Sequence, residues 1–443
     1  MKSNLKKLVA LVGIAILAVS SLHAQDSKAL VEALVKKGVL TDQEAEEIRA
    51  DLVKEFNTTS AGKLEVGSHI KKLKLYGDAR WRYEYVGQDG QVNGSTNSHN
   101  WQARYRIRLG AEYAFKDNFS GGFELDSSTA NDSGNQTIGA GFGKFGINVG
   151  LLYLTYKPWD WATVTGGKIR NPFYTTDLVW SNDLYPEGAA EILKWDLSDQ
   201  WSIGLTAAQF NYTENNDSGS LTGNDKLQDS WIFAAQVPVT YQFGKFESVT
   251  VAPAFYSYTG NSAATVVTGS PSSTGTLSAT NLNIVTAPGD VSFKLFSKKA
   301  KFYWDLAYNT SGEARIHQVY GIVNQNNDLT DSLAWLAGFQ VGDSKKKGDW
   351  LVGLDYRQIG LGSIDPNISD PSWGNGYLNQ QGIRLRTSYN FTDFLTGGVT
   401  YYNTWNLKEN INTSATNQNG NTVGGLNGVN ATSRLQLDLV WKF

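Results

Sequence analysis

Cations recur at every second position in several parts of this sequence. Lys72, Lys74, Arg80 and Arg82 fall opposite Leu73, Leu75, Trp81 and Tyr83 when the chain is read with a period of two. Arg104, Arg106 and Arg108 alternate with Tyr105, Ile107 and Leu109. Arg384 and Arg386 alternate with Ile383 and Leu385, and Arg434 begins the polar face of the last segment. Arginine stays charged and presents a rigid fork of donors. A line of such cations along one wall raises the local concentration of anions. The same arginines have a plainer use, pairing with Asp78, Glu84, Glu112 or loop acids to brace the wall, and one residue can do both.

A second constellation lies between Arg170 and Pro186. Phe173, Tyr174, Trp180 and Tyr185 stand there beside Asp177 and Asp183, with Glu187 just beyond. A connection lying in water has little use for so many aromatics, whereas one folded into a lumen would use them as anchors. Asp177, Asp183 and Glu187 would then face the basic wall across a narrowed pore and set up a transverse field. An aromatic-rich external loop is the alternative.

Strands must position both groups. Alternation dominates from Lys71 onward, most clearly over 101–115 and 432–443. Sixteen strands are expected, near 71–86, 101–115, 119–128, 146–157, 161–169, 188–196, 200–211, 230–243, 246–259, 287–297, 301–311, 331–342, 349–360, 379–391, 394–407 and 432–443. The facing of 246–259 is ambiguous, and 287–297 contains Pro288. Short turns such as Lys116-Asp117-Asn118 and Thr392-Asp393 alternate with long connections rich in Gly, Ser, Asn and Thr. An even strand count with unequal rims is the pattern of outer-membrane barrels. Tyr113/Phe115, Tyr156, Tyr241/Phe243, Phe302/Trp304 and Tyr389/Phe391 gather beside the short turns as an aromatic girdle. A closed barrel of this size is too wide for side chains to fill and leaves an aqueous channel. The fold class is therefore all-β, a 16-stranded antiparallel transmembrane β-barrel preceded by a short periplasmic helical hairpin.

Composition agrees. The chain has 443 residues, with Gly 45, 12% aromatics and 18% charged residues. It has no Cys, which excludes a disulfide scaffold, a Cys-ligated zinc and a thiol nucleophile. A formal net charge of −3 excludes a basic nucleic-acid binder. Four His occur, at 23, 69, 99 and 317, and none pairs at metal-ligand spacing. Neither a Gly-x-Ser-x-Gly elbow nor a phosphate-cradling Gly-Lys-Ser/Thr loop is present. No enzyme activity, cofactor or metal is expected. Asp217, Asp225 and Asp229 could hold calcium at a rim, but a plain solvated loop is the simpler reading.

The N-terminal region reads as an address. Lys2, Lys6 and Lys7 precede the apolar run Leu8 to Val19, and small residues surround Ala24, so 1–24 is a secretory signal peptide. Residues 25–56 have helical periodicity, and Thr41 with Glu44 forms a capping box. The segment is read as a periplasmic spacer or a coiled-coil trimerisation element. Residues 57–70 form a linker, and 71–443 form the barrel.

Gly166-Gly167-Lys168-Ile169-Arg170-Asn171-Pro172-Phe173, followed by Trp180, Asp183 and Tyr185-Pro186-Glu187-Gly188, resembles the putative porin family of Gram-negative outer membranes, a family similar to the phosphate-selective porins O and P. The prefix Val35-Lys36-Lys37-Gly38-Val39-Leu40-Thr41-Asp42-Gln43-Glu44-Ala45 resembles the start of that family. The resemblance implies a sixteen-stranded barrel, often trimeric, with the third loop inside the pore. The lysine-dense segment of a phosphate-selective channel is not evident. Trp441 and Phe443, ending an alternating apolar run, resemble the signal read by the barrel assembly machinery. The expectation is a cell outer membrane channel through which small hydrophilic solutes diffuse, with outer-membrane lipid and lipopolysaccharide around a homotrimer. The alternatives are an anion- or phosphate-selective channel, a non-conducting adhesin or receptor barrel, and a soluble glycan-binding β-protein.

Overall fold

The computed structural model describes residues 35–36, 41, 43–48, 67, 69–92, 95–128, 133–139, 141, 143–213, 229–259, 281–320, 329–408 and 429–443. The signal peptide, Asp217 and Asp225 lie outside the described residues. The chain divides into two units, Met1–Gly67 and Ser68–Phe443. In the first, residues 43–48 are helical. Thr41 caps them: Glu44 accepts from the Thr41 backbone N–H and hydroxyl, each at 2.8 Å, and the Glu44 N–H donates back to Thr41 Oγ1 at 3.3 Å.

The second unit is a closed antiparallel barrel of sixteen staves. They are β1 (Ile70–Val92), β2 (Ser95–Phe115), β3 (Phe119–Asp126), β4 (Asn148–Trp159), β5 (Ala162–Lys168), β6 (Glu187–Asp196) and β7 (Trp201–Thr213). Three staves follow in two pieces each: β8 (Ser230–Gln236 and Val239–Gln242), β9 (Ser248–Val251 and Ala254–Thr259) and β10 (Asn283–Thr286 and Gly289–Leu295). The rest are β11 (Lys298–Asn309), β12 (Leu333–Gly342), β13 (Trp350–Ile359), β14 (Gln380–Asn390), β15 (Leu395–Asn406) and β16 (Val429–Lys442). Helices α1 (Gly312–Tyr320) and α2 (Leu329–Ser332) lie between β11 and β12.

Each expected strand has a counterpart, and the differences are local. The first two staves reach Val92 and back from Ser95, beyond the expected 86 and 101. The tenth begins at Asn283 rather than 287. The breaks in β8, β9 and β10 fall at Pro238, Pro253 and Pro288. Proline has no N–H for the ladder, yet each of these carbonyls still accepts from a neighbouring stave: Gly204 N–H to Pro238 at 2.8 Å, Val237 to Pro253 at 2.9 Å and Ala252 to Pro288 at 2.9 Å. The facing of side chains is therefore kept across each break.

Closure joins β1 to β16, with Asp78 opposite Lys442 and Gly90 opposite Val429. Gly77 and Phe443 exchange backbone hydrogen bonds at 3.0 and 3.1 Å. A β-carbon at Gly77 would overlap the Phe443 ring, so the seam needs glycine there. One face of the staves is apolar and exposed: Leu75, Leu152 and Leu154 are 63%, 60% and 52% accessible. In a single soluble chain such a belt would be anomalous, whereas in a bilayer it faces lipid. At the short-turn end, rings pack from stave to stave: Phe119 stacks on Tyr156 at 4.5 Å and Trp159 on Trp161 at 5.0 Å, and Trp201 lies tilted against Tyr241 at 4.6 Å. Toward the long-loop end Tyr83 stacks on Trp101, and Tyr85 lies tilted against it.

Candidate pore constriction

The inward face of the staves carries two different linings. On β7 through β12 it is mostly apolar, with Phe210, Ile232, Ala234, Tyr256, Ile284 and Leu336 buried around a few polar groups such as Gln236, Asp290 and Asp305. The segment 170–186, joining β5 to β6, packs on that lining through Phe173, Leu178, Val179 and Trp180. Phe173 meets the edges of Phe210 and Tyr256 at 6.2 and 5.4 Å between ring centres. Polar contacts fix it further. The Tyr174 N–H donates to Gln236 Oε1 at 2.7 Å, and Gln236 Nε2 donates back to the Tyr174 carbonyl at 2.8 Å. The Tyr174 hydroxyl reaches Asp290, and Thr176 Oγ1 donates to Asp305 at 2.8 Å.

A second connection enters the lumen, and the sequence reading missed it. Residues 360–379, joining β13 to β14, bury Leu361, Ile364, Ile368, Trp373 and Leu378 in the same cluster. The Arg357 guanidinium lies over the Trp373 ring, 4.7 Å from its centre. The Ser181 N–H donates to the Ile368 carbonyl at 2.6 Å, so the two inserted segments touch. A weaker signal of the same kind was in the sequence: Leu361, Ile364, Ile368, Trp373 and Leu378 are apolar, but this connection has fewer of the aromatics that marked 170–186.

On β1, β2 and β16 the lining is charged and ion-paired. Asp78 accepts from Arg106 Nη2 at 2.7 Å and from Arg108 Nε at 2.8 Å. Glu84, fully buried, accepts from Gln102 at 2.7 Å, Gln436 at 2.8 Å, Arg434 at 3.0 Å and Arg104 at 3.2 Å. Arg82 forks onto both oxygens of Asp438 at 2.6 and 2.7 Å. Arg80 donates to Asn135 Oδ1 through Nη2 at 2.6 Å. Lys72 and Lys74 lie at the short-turn end, both exposed, with Lys74 3.4 Å from Glu112.

The expected single basic wall is thus divided. Arg384 belongs to another group, with Asp177 at 2.6 Å and Asp355 at 2.7 Å, joined by Arg357, which the sequence reading did not single out. Arg386 stands apart, donating to Gln340 at 2.8 Å and to the Tyr303 hydroxyl at 3.3 Å. Alternation gives the facing of an arginine, but its partner is set by which staves and loops meet.

The acids of 170–187 differ from expectation in the same way. Asp177 and Asp183 do not face arginines across an open gap but bond to them directly. Asp183 accepts from Arg106 at 3.3 Å and lies 3.5 Å from Arg108. Burial alone would raise the Asp177 carboxyl, but Arg384 and Arg357 outweigh it and hold that carboxyl well below the usual carboxylate range. Glu187 is not with them. It opens β6 on the outward face, where Lys168 of β5 lies at 2.6 Å. Trp441 faces outward and pairs in register with Ala79 and Leu395, and Phe443 is exposed beside Gly77.

A polar cavity of about 590 Å³ remains between the charged lining and the inserted segments. Arg80, Arg104, Arg434, Asp177, Asp183 and Asp370 reach it, together with side-chain amides such as Gln102 and Asn182. On the β1–β2–β16 side six arginines (80, 82, 104, 106, 108 and 434) meet four carboxylates (Asp78, Glu84, Asp183 and Asp438). On the β13–β14 side Arg357 and Arg384 meet Asp177, Asp355 and Asp370.

Residues 88–287 match the family model of putative porins. That stretch includes the inserted segment 170–186. No curated protein matches the chain. The chain is similar to the OprB of Pseudomonas putida at 11% identity, over 84% of this chain and 94% of that one, with a TM-score of 0.47. It is similar to the outer membrane channel DcaP of Acinetobacter baumannii at 14% identity, over 86% and 100%, with a TM-score of 0.46. For Salmonella typhi OmpF the values are 12%, 84%, 98% and 0.44. The family match and the closed barrel support an outer-membrane channel.

Proposed function

We propose that this chain is a porin of the cell outer membrane, a water-filled channel through which small hydrophilic solutes and ions diffuse passively. The observation that carries the reading is the polar cavity inside a closed barrel, bounded by an ion-paired arginine lining on one side and inserted loops on the other. Residues 170–186 act as the constriction loop, with Asp177 and Asp183 latching it to the wall, and 360–379 narrows the pore with it. Solutes pass between fixed charges of both signs, which orient water and dipolar solutes and screen them by size. Outer-membrane lipid and lipopolysaccharide surround the apolar belt. The signal peptide directs export, the terminal Phe443 and Trp441 engage the barrel assembly machinery, and the functional unit is a homotrimer. The chain contributes no catalysis.

The test is conductance of the detergent-purified, folded protein in a planar bilayer under a KCl gradient. Stepwise openings are expected, with closures in threes for a trimer. A silent bilayer from folded protein would overturn the channel reading in favour of an adhesive or receptor barrel.

A further inference from the structure

The arginines reaching the cavity are not equivalent. Arg82 is held by both oxygens of Asp438. Arg104 and Arg434 share Glu84, and Arg384 has Asp177 and Asp355. Arg106 and Arg108, just below, share Asp78. Each of these cations has a carboxylate oxygen within 3.2 Å. Arg386 has none among the described residues, but it lies away from the cavity lining and is capped by Tyr303 and Gln340.

Arg80 differs on both counts. It lines the cavity, and its only hydrogen-bond acceptor among the described residues is the neutral amide oxygen of Asn135, reached by Nε at 3.2 Å and Nη2 at 2.6 Å. Its nearest carboxylate, Asp183, is 4.0 Å away and already accepts from Arg106 at 3.3 Å. The Arg80 side chain is only 11% accessible, so bulk water compensates it poorly. Arg106 stands opposite it in the β1–β2 register and adds positive potential rather than relief. Nη1 of Arg80 donates to no described residue. A mostly buried guanidinium with neutral partners, a free donor and an open polar cavity is arranged to receive an anion.

We propose that Arg80 is the anion-docking group of the pore: the negative group of a passing solute, a halide or a small carboxylate or phosphate, pairs transiently with its guanidinium, and this single residue sets the charge preference of the channel. The other arginines hold the wall together and have little charge to spare. Asn135 orients the fork without neutralising it, so the anion is held firmly enough to enter and weakly enough to leave.

This inference rests on the porin reading, and the experiment separates the two. Reversal potentials are measured in a KCl gradient for the wild type, Arg80→Gln and Arg80→Lys, with chloride as the probe anion and folding of each variant checked by circular dichroism. The wild type is expected to prefer chloride. Arg80→Gln should conduct while its chloride-to-potassium permeability ratio falls by roughly tenfold, and Arg80→Lys should keep most of the preference. A conducting wild type whose ratio is unchanged in Arg80→Gln overturns the role of Arg80 and leaves the porin reading standing. Loss of preference in Arg80→Lys equal to that in Arg80→Gln also overturns it, because the charge would then not be the agent. A silent wild type overturns both.

Discussion

The two linings of this barrel do different work with the same alternation. On β7 through β12 the inward positions are mostly apolar, and they grip inserted chain. On β1, β2 and β16 they are charged, and they pair with one another beside a polar cavity. The contrast shows how a barrel too wide to be filled by its own side chains has part of its lumen occupied by inserted chain. One side is filled by folding loops onto it, and the other is kept open because buried ion pairs tolerate water nearby. Asp183 is where the two meet, since it belongs to the apolar-anchored loop and bonds to Arg106 of the charged side, while Asp177 of the same loop bonds to Arg384 of the separate β13–β14 group.

Breaking the charged side should have the largest effect. Glu84→Gln leaves Arg104 and Arg434 without their carboxylate at the closure seam, and loss of one partner of such a buried group costs about 3–5 kcal/mol. The urea midpoint of the refolded barrel should fall accordingly. An unchanged midpoint would mean the wall does not depend on its pairs. On the apolar side, Trp180→Ala removes a buried ring from the loop cluster, a loss of about 3 kcal/mol. Here the fall in stability should come with larger and noisier conductance, because the loop loses its grip; the Glu84 variant should not widen the pore in this way.

Asp177→Asn sharpens the boundary between the two. It keeps the size of the side chain and removes the charge that binds Arg384, so the barrel should lose under about 3 kcal/mol while open-channel noise rises. The smallest effect is expected from pH. The Asp177 carboxyl is held below its ordinary value in the folded chain. Its contribution is therefore full above the unfolded pKa of about 3.9 and is lost as pH falls through the lower folded value. Conductance noise should be flat from neutral pH to about 5 and rise only below about 4. A rise centred near pH 6 would place the latch elsewhere.

Much of the charged side was legible in the sequence. Staves such as β2 and β16 face lipid on one side and water or ion pairs on the other, so their hydrophobicity alternates cleanly. Arg104, Arg106 and Arg108 could be placed on the inward face from spacing alone. Their partners could not, because Glu84 and Arg434 meet only through closure of the barrel, 350 positions apart. The apolar side was harder to read for a physical reason. In β9, Ala252, Ala254, Tyr256 and Tyr258 point inward but are buried under loops, while Val251 and Phe255 point to lipid. With apolar residues on both faces the period of two fades, which is why the facing of 246–259 was ambiguous. The aromatics of 170–186 suggest insertion, whereas Ile364, Ile368 and Trp373 give only a weak hint of it, because that connection carries fewer rings. Glu187 was misplaced by one structural step, since it begins a stave rather than ending the loop.

The division of the lumen is most directly tested by thiol accessibility, for which a chain without cysteine is well suited. Gln102→Cys places a thiol on the cavity lining, and Ala234→Cys places one inward on the loop-covered side. A charged methanethiosulfonate reagent is added while current is recorded. Current through the Gln102 variant should drop within the exposure, and current through the Ala234 variant should not change. Equal block of both, or block of the Ala234 variant alone, would contradict a lumen whose open path follows the arginine side.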